Sequence, residues 1–341
     1  MKERSACGSR VFPDSRSAAC DMLCGAMDMS ERFDHFMDEV RRSGYDLFAA
    51  EVRKKGEIKD AWYRFASKPR FESFSLAKTF VSAGVGIALE EGLIRLDEKV
   101  YDALGDPSYH LQNGFPKEVT VRDLLTMTSG MEKAVLFRDS YERAHERDWV
   151  RYIFEQPFSS SPGTSFLYTN VCAYLLGALV EKKAGVNMLE YMRDRLFEPL
   201  KIHNPDMTVC PKGHTVGANG LAINVTELGN FAQMLLNNGV FEGQRILSGT
   251  YVKDMTSPHV ISNEAVPASP ENPLFYGYQT WIDTVHGAFF LWGIFGQYAV
   301  VCPKKDLVIV TQGLVDTDGG SNGDYRFSPF RKLIWETFLE E

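Results

Sequence analysis

The stretch Ser75-Leu76-Ala77-Lys78-Thr79-Phe80-Val81-Ser82-Ala83-Gly84-Val85-Gly86-Ile87-Ala88-Leu89-Glu90-Glu91-Gly92 decides how this chain is read. It is an apolar helical pattern that ends at Gly92. Ser75 opens the pattern and Lys78 follows one turn later, so hydroxyl and amine share a face. A serine becomes nucleophilic only when a neighbour takes its proton, and a neutral lysine can do so. Burial against Phe74, Phe80 and Val81 and the positive end of the helix dipole both push Lys78 toward neutrality. The helix start leaves backbone N–H groups unpaired, and the amide of Ser75 is one that can face a developing oxyanion. Taken alone, the spacing equally fits an N-capping serine followed by a surface lysine.

Outward from this helix the pattern changes twice. Residues 1–28 are rich in Ser, Cys, Arg and Gly without either period and are expected to be a disordered extension. Ser30 then reads as the N-cap of a helix with Phe33, Phe36, Met37 and Val40 on one face, ended by Gly44. Tyr45 to Val52 and Ile58 to Ala66 read as a hairpin. After the Ser75 helix come helical patterns at Val121 to Met127 (capped by Thr120), Asn170 to Lys183, Asn187 to Phe197, Val225 to Asn237 and Thr250 to Met255. Strands return at Tyr276 to Asp283, Ala288 to Trp292, Gln297 to Cys302 and Leu307 to Gln312, and Arg331 to Leu339 reads as a last helix. Early strands, a helical middle and late antiparallel strands predict an α+β fold in which the N-terminal hairpin pairs with the C-terminal strands. The expected division is a sheet lobe from 29–90 with 240–341, and a mostly helical lobe from 91–239.

Composition narrows the function. The 341 residues carry 37 Lys and Arg against 45 Asp and Glu, a net charge of −8. Nucleic acid and anionic membranes both require basic surface, so neither is an expected partner and a small molecule is. No apolar core of a signal peptide and no run of the roughly 18 residues needed to span a bilayer is read, so the expected location is the cytoplasm. Of the six cysteines, Cys7, Cys20 and Cys24 cluster near the N-terminus, and Cys172, Cys210 and Cys302 are dispersed. Neither they nor the seven scattered histidines show metal-ligand spacing. No metal and no cofactor is expected, and oligomeric state is not legible.

Two further segments carry candidate chemistry. Tyr168-Thr169-Asn170 follows the turn Ser161-Pro162-Gly163-Thr164 and precedes a helix. A phenol beside an ammonium has a lowered pKa, so Tyr168 near Lys78 is expected to shuttle protons. Asn170 offers a donor and an acceptor to a substrate carbonyl. The bland alternative is a core tyrosine and a capping asparagine. Trp292-Gly293-Ile294-Phe295-Gly296-Gln297 lies between two strands, and its glycines mark a bulge, a close approach to a ligand, or an ordinary hairpin turn.

Ser-x-x-Lys, Tyr-x-Asn and a Gly-bearing strand, in this order, resemble the serine β-lactamase and penicillin-binding-protein superfamily, particularly class C β-lactamases and their esterase-like relatives. Leu124-Leu125-Thr126-Met127-Thr128-Ser129-Gly130 and Pro162-Gly163-Thr164 through Tyr168-Thr169-Asn170 to Leu176-Gly177 agree with it. The resemblance runs from about Ser30 to the C-terminus. It implies the β-lactamase/transpeptidase-like fold, an antiparallel sheet flanked by helices plus a mostly helical lobe, with the site in the cleft between them. It also implies two-step acyl transfer, with Ser75 acylated, Lys78 as base and Tyr168 as relay. Where transpeptidases and β-lactamases carry Lys-Thr-Gly, or His in place of Lys, this chain has Trp292-Gly293-Ile294. That is similar to the Trp-Gly-Gly of β-lactamase-like esterases and the Gly-Ile-x-Gly-Gln of nylon-oligomer hydrolases. By that match the backbone N–H of Ile294 joins that of Ser75 in the oxyanion hole, and Trp292 walls the acyl pocket beside Gly293. The lost cation removes a charge-assisted contact worth about 1.5–3 kcal/mol, which argues for esters or small amides over penicillins.

Two rival readings stand beside this one: a β-lactamase or D-alanyl-D-alanine peptidase, and a catalytically idle ligand-binding protein on the same fold. An α/β-hydrolase is set aside for want of a Gly-x-Ser-x-Gly nucleophile elbow.

Overall fold

Strand pairing brings the two ends of the chain together in this computed structural model, which describes residues 27–315 and 328–340. The expectation for residues 1–28 therefore falls almost wholly outside the described residues. Helix α1 (Met29–Arg42) leads into the hairpin β1 (Leu47–Lys54) and β2 (Glu57–Tyr63), and β3 (Phe71–Glu72) follows. After the central helices and the short strands β4 (Asp206–Met207), β5 (Leu221–Ile223), β6 (Val240–Phe241) and β7 (Gln244–Arg245), the chain returns to sheet. Those late strands are β8 (Val260–Val266), β9 (Ser269–Tyr276), β10 (Trp281–Asp283), β11 (Ala288–Gly293), β12 (Gln297–Cys302) and β13 (Leu307–Gly313). With β1 and β2 they form one antiparallel eight-stranded sheet in the order β2-β1-β13-β12-β11-β10-β9-β8. β1 pairs with β13 from Leu47↔Gly313 to Lys54↔Leu307, as expected for an N-terminal hairpin laid on C-terminal strands.

Four longer helices matter for the site besides α1: α2 (Ala77–Glu90), α3 (Asn170–Ala184), α4 (Val225–Leu236) and α5 (Pro329–Phe338). Every residue of β12 and β13 is buried because helices cover both faces of the sheet. α4 packs on β13, β12 and β1. α5 packs on α1 and, through Trp335 against Phe290 and Phe330 near Tyr298, on the strands. A sheet covered on both faces loses the alternation of polar and apolar residues, which explains the unbroken apolar runs of these strands. The buried Arg53 joins β1 to α4, donating to the Glu51 carboxylate at 2.7 Å, to Asn230 Oδ1 at 2.9 Å and to the Thr226 carbonyl at 2.9 Å.

Three expectations need correction, and one stretch with no expected strand forms a hairpin. The N-cap of α1 is Asp28, in a reciprocal capping box with Glu31, so the helix begins before Ser30. Tyr276 to Asp283 is broken by a turn at Gly277–Thr280, where Gly277 N–H donates to the Thr280 carbonyl at 2.8 Å and closes the corner between β9 and β10. The stretch from Ser262 to Pro273, which carries no strand pattern, forms the β8–β9 hairpin. Pro270 and Pro273 fit there because β9 pairs with β10 only at its Phe275–Tyr276 end, leaving its first half an edge. Finally, Gly319-Gly320-Ser321-Asn322-Gly323 does spell the elbow pattern, outside the described residues. The α/β-hydrolase is excluded instead by the sheet, whose paired strands are all antiparallel.

Candidate active site

Ser75 lies in a 3-10 turn, Phe74–Leu76, that runs directly into α2. Phe74 takes a left-handed φ of +50°, which few residues with a Cβ adopt, so the turn is held in a costly conformation by its surroundings. Lys78 follows in the first turn of α2, and only 1% of it is exposed. Its Nζ lies 2.9 Å from Ser75 Oγ, 2.9 Å from Asn170 Oδ1 and 2.9 Å from the Ala218 carbonyl oxygen. No carboxylate among the described residues pairs with it. Burial, the largest effect, brings its pKa down to about 7, opposed by Cys172 and reinforced by the Arg143 guanidinium. The thiol of Cys172 is itself pushed up to about 12 by burial, so at neutral pH it carries no charge to hold a proton on Lys78.

Tyr168 arrives by a backbone clamp. The Leu124–Gly130 segment accepts from the incoming chain, Met127 O from Leu167 N–H and Thr128 O from Gly163 N–H. Tyr168 then rests on Trp281, ring centres 5.4 Å apart, and on Tyr276 at 6.2 Å. Lys78 Nζ stands 4.9 Å from the centre of the Tyr168 ring, and the phenol engages the Ser75 side chain. A phenol lowered by a neighbouring ammonium is the wrong expectation: burial raises the pKa of Tyr168, and the Ser75 contact only tempers the rise. Burial outweighs any pull from Lys78, whose own pKa is brought down to about 7.

Asn170 differs from expectation as well. The helix cap is Thr169, whose hydroxyl accepts from Val171 N–H, and Asn170 is the first helical residue. Both ends of its amide are engaged, Oδ1 by Lys78 and Nδ2 by donation to the Leu136 carbonyl at 3.0 Å. In this geometry it holds the amine of Lys78.

The third segment approaches from the sheet. A Cβ on Gly293 would stand 2.2 Å from the Ser73 carbonyl oxygen and 3.2 Å from Phe74 Cβ, so only glycine lets β11 lie this close to the Ser75 turn. Ile294 follows in the turn between β11 and β12. Neither its amide nor that of Ser75 donates to a backbone carbonyl among the described residues. Gln297 fixes this turn by donating to Gly313 O at 2.6 Å and Phe295 O at 3.2 Å, and Thr311 donates to Gly296 O at 2.8 Å. Phe295, at φ +65°, meets Phe74 edge-on with ring centres 5.1 Å apart. Trp292 is buried and its ring lies 5.8 Å from that of Trp281, on which Tyr168 rests.

Sequence reasoning missed several groups that this arrangement brings in. Ala218 contributes a carbonyl, and the only hint is its place between Gly217 (φ +65°) and Gly220 (φ +80°), a backbone built to turn. Arg331 of α5 stacks its guanidinium 3.8 Å above Trp292, so a buried cation sits behind the strand that lacks one. Arg143 and Asn219 lie on the other side, beside Ala218.

The beta-lactamase family profile matches residues 29–323. A curated relative, a beta-lactamase of Escherichia coli (strain K12), is 29% identical over 141 residues, 41% of this chain and 36% of the relative. The match thus spans about a third of that protein's length. Among solved structures, EstCE1, a hydrolase with promiscuous acyltransferase activity, superposes with a TM-score of 0.69 at 16% identity, covering 90% of this chain and 98% of that one. A D-stereospecific amidohydrolase from Streptomyces sp. gives 0.66 at 19% identity, covering 92% and 99%. At such identities these structures speak for the fold alone. No helix among the described residues is long and apolar enough to cross a membrane.

Proposed function

The chain belongs to the beta-lactamase family, and on that premise we propose that it is a serine hydrolase cleaving esters or small amides through an acyl-enzyme on Ser75. The observation that carries this reading is the set of three oxygens, Ser75 Oγ, Asn170 Oδ1 and Ala218 O, around Lys78 Nζ. A neutral amine has two N–H donors and one lone pair. Donation to Asn170 Oδ1 and to Ala218 O uses both N–H groups and leaves the lone pair facing the Ser75 hydroxyl, which then donates to the nitrogen. Burial without a carboxylate partner favours this neutral form. The base is thus poised before substrate arrives.

In the acylation step Ser75 Oγ attacks the substrate carbonyl carbon while its proton passes to Lys78 Nζ. The oxygen that becomes negative is met by the N–H groups of Ser75 and Ile294. Tyr168, kept protonated by burial, hands its phenolic proton to the departing alkoxide or amine and is refilled from Lys78. Water then attacks the acyl-enzyme, with the same pair taking its proton and returning one to Ser75. The EstCE1 and D-stereospecific amidohydrolase likenesses are in keeping with this choice of substrate class. Hydrolysis of short p-nitrophenyl esters by the wild type and its loss in Ser75→Ala tests the reading, and equal rates in the two proteins would refute it.

A further inference from the structure

Near Lys78, close enough to act on its charge, stands a second cation for which the mechanism has no use. Arg143 lies in the short helix Tyr141–His145. Its Nη2 donates to Asn219 Oδ1 at 3.0 Å, and Asn219, itself buried, directly follows the residue whose carbonyl holds Lys78. Its guanidinium carbon lies 5.4 Å from the centre of the Trp149 ring. Nη1 is shielded from solvent and makes no hydrogen bond among the described residues. The charged neighbours do not neutralise it. Glu72, which acts on it through space, is bound by Arg138 at 2.8 Å, and Glu142 accepts from the Leu136 amide at 3.0 Å. A guanidinium is never deprotonated in a protein, so a full positive charge with an unpartnered, shielded donor is left beside the Lys78 surroundings.

We propose that Arg143 is an anion subsite, and that the substrate carries a carboxylate on its acyl half which the free Nη1 donor of Arg143 receives. Arg143 meets the Lys78 surroundings through Asn219 and Ala218, whereas Tyr168 meets Lys78 through its own ring. The leaving group must face the proton donor Tyr168, so a group reaching Arg143 belongs to the other half of the substrate. Asn219 fixes one edge of the guanidinium and turns the other toward the incoming anion. This inference rests on the hydrolase reading above and narrows its substrate class to half-esters or half-amides of dicarboxylic acids, or acyl groups of similar charge.

The test uses binding and turnover as separate readouts. Calorimetric titration of the Ser75→Ala protein with monomethyl adipate and with neutral dimethyl adipate compares the anion with its uncharged twin. Tighter binding of the anion by about 10- to 100-fold is expected, as for a charge-assisted contact. That preference should fall to near onefold in Ser75→Ala/Arg143→Gln and be partly restored by Arg143→Lys. Equal binding of the two ligands to Ser75→Ala, or a preference that survives Arg143→Gln, would overturn the subsite. Hydrolysis of p-nitrophenyl acetate by wild type against Ser75→Ala judges the hydrolase reading independently, so the failure of one is distinguishable from the failure of the other.

Discussion

Gly293 and Ser73 touch backbone to backbone: a Cβ on the glycine would stand 2.2 Å from the serine carbonyl oxygen, on the turn that presents Ser75. The sheet and the Ser75 turn are therefore locked at one point, and the Ile294 amide is delivered by that lock. In Gly293→Ala the backbone has to move apart, since the obstructing atom is not the tip of a flexible side chain. Esterase kcat/KM should fall by about 10²–10³-fold, the scale of losing one oxyanion donor. Melting should show a loss of about 1–3 kcal/mol. Unchanged kinetics would mean that β11 does not shape the site.

In the proposed mechanism Lys78 is the base that sets the pH dependence of rate. Its pKa, brought down to about 7 chiefly by burial, makes the neutral amine the working form. Ester kcat/KM should rise with pH through about 7 and level off above it. Lys78→Met should lower the rate by about 10²–10⁴-fold and abolish that limb. A profile flat from pH 5 to 9 in the wild type would contradict the assignment.

The same lysine links stability to pH. A folded-state pKa of about 7 lies below the ordinary lysine value, so between about 7 and 10.5 the unfolded chain binds the extra proton and stability rises with pH. Below about 7 the buried ammonium costs the fold on the order of 5 kcal/mol relative to a neutral amine. The stability of wild type relative to Lys78→Met, followed by chemical denaturation, should therefore increase on going from pH 7 to pH 10. A constant difference would mean that Lys78 titrates normally.

Tyr168 should matter according to the leaving group. A p-nitrophenolate departs without a proton, whereas an amine or alkyl alkoxide needs one. Tyr168→Phe should thus reduce amide or alkyl-ester hydrolysis by about 10²–10³-fold and p-nitrophenyl ester hydrolysis by much less. Equal losses on both substrates would assign the phenol to binding.

Outside the site, the Glu51–Arg53 pair anchors α4 to β1. Glu51→Ala leaves a buried guanidinium without its carboxylate, and denaturant unfolding should report a loss of about 3–5 kcal/mol.

The fold was legible where local signals agreed with packing. Phe33, Phe36, Met37 and Val40 share a helical face and are all buried, and β12 spans Gln297 to Cys302 as its residues suggest. It was illegible where long-range contacts overrode local chemistry. Pro270 and Pro273 argue against a strand, yet β8 supplies a partner that a proline-bearing edge tolerates. The candidate site was readable from three short motifs because each needs particular side chains. Ala218 was not, since a carbonyl acceptor can belong to any residue, nor was Arg143, whose approach to Asn219 spans 76 positions. The pKa of Tyr168 was misjudged because burial, a property of the whole fold, outweighs a neighbour named in the sequence.

The most direct measurement is the intact mass of the protein quenched during turnover of a slow ester, with the modified peptide sequenced. A single acyl group on Ser75 in the wild type, absent from Ser75→Ala along with hydrolysis, is the expected result. Hydrolysis without any adduct, or an adduct on another residue, would contradict a nucleophile activated by Lys78.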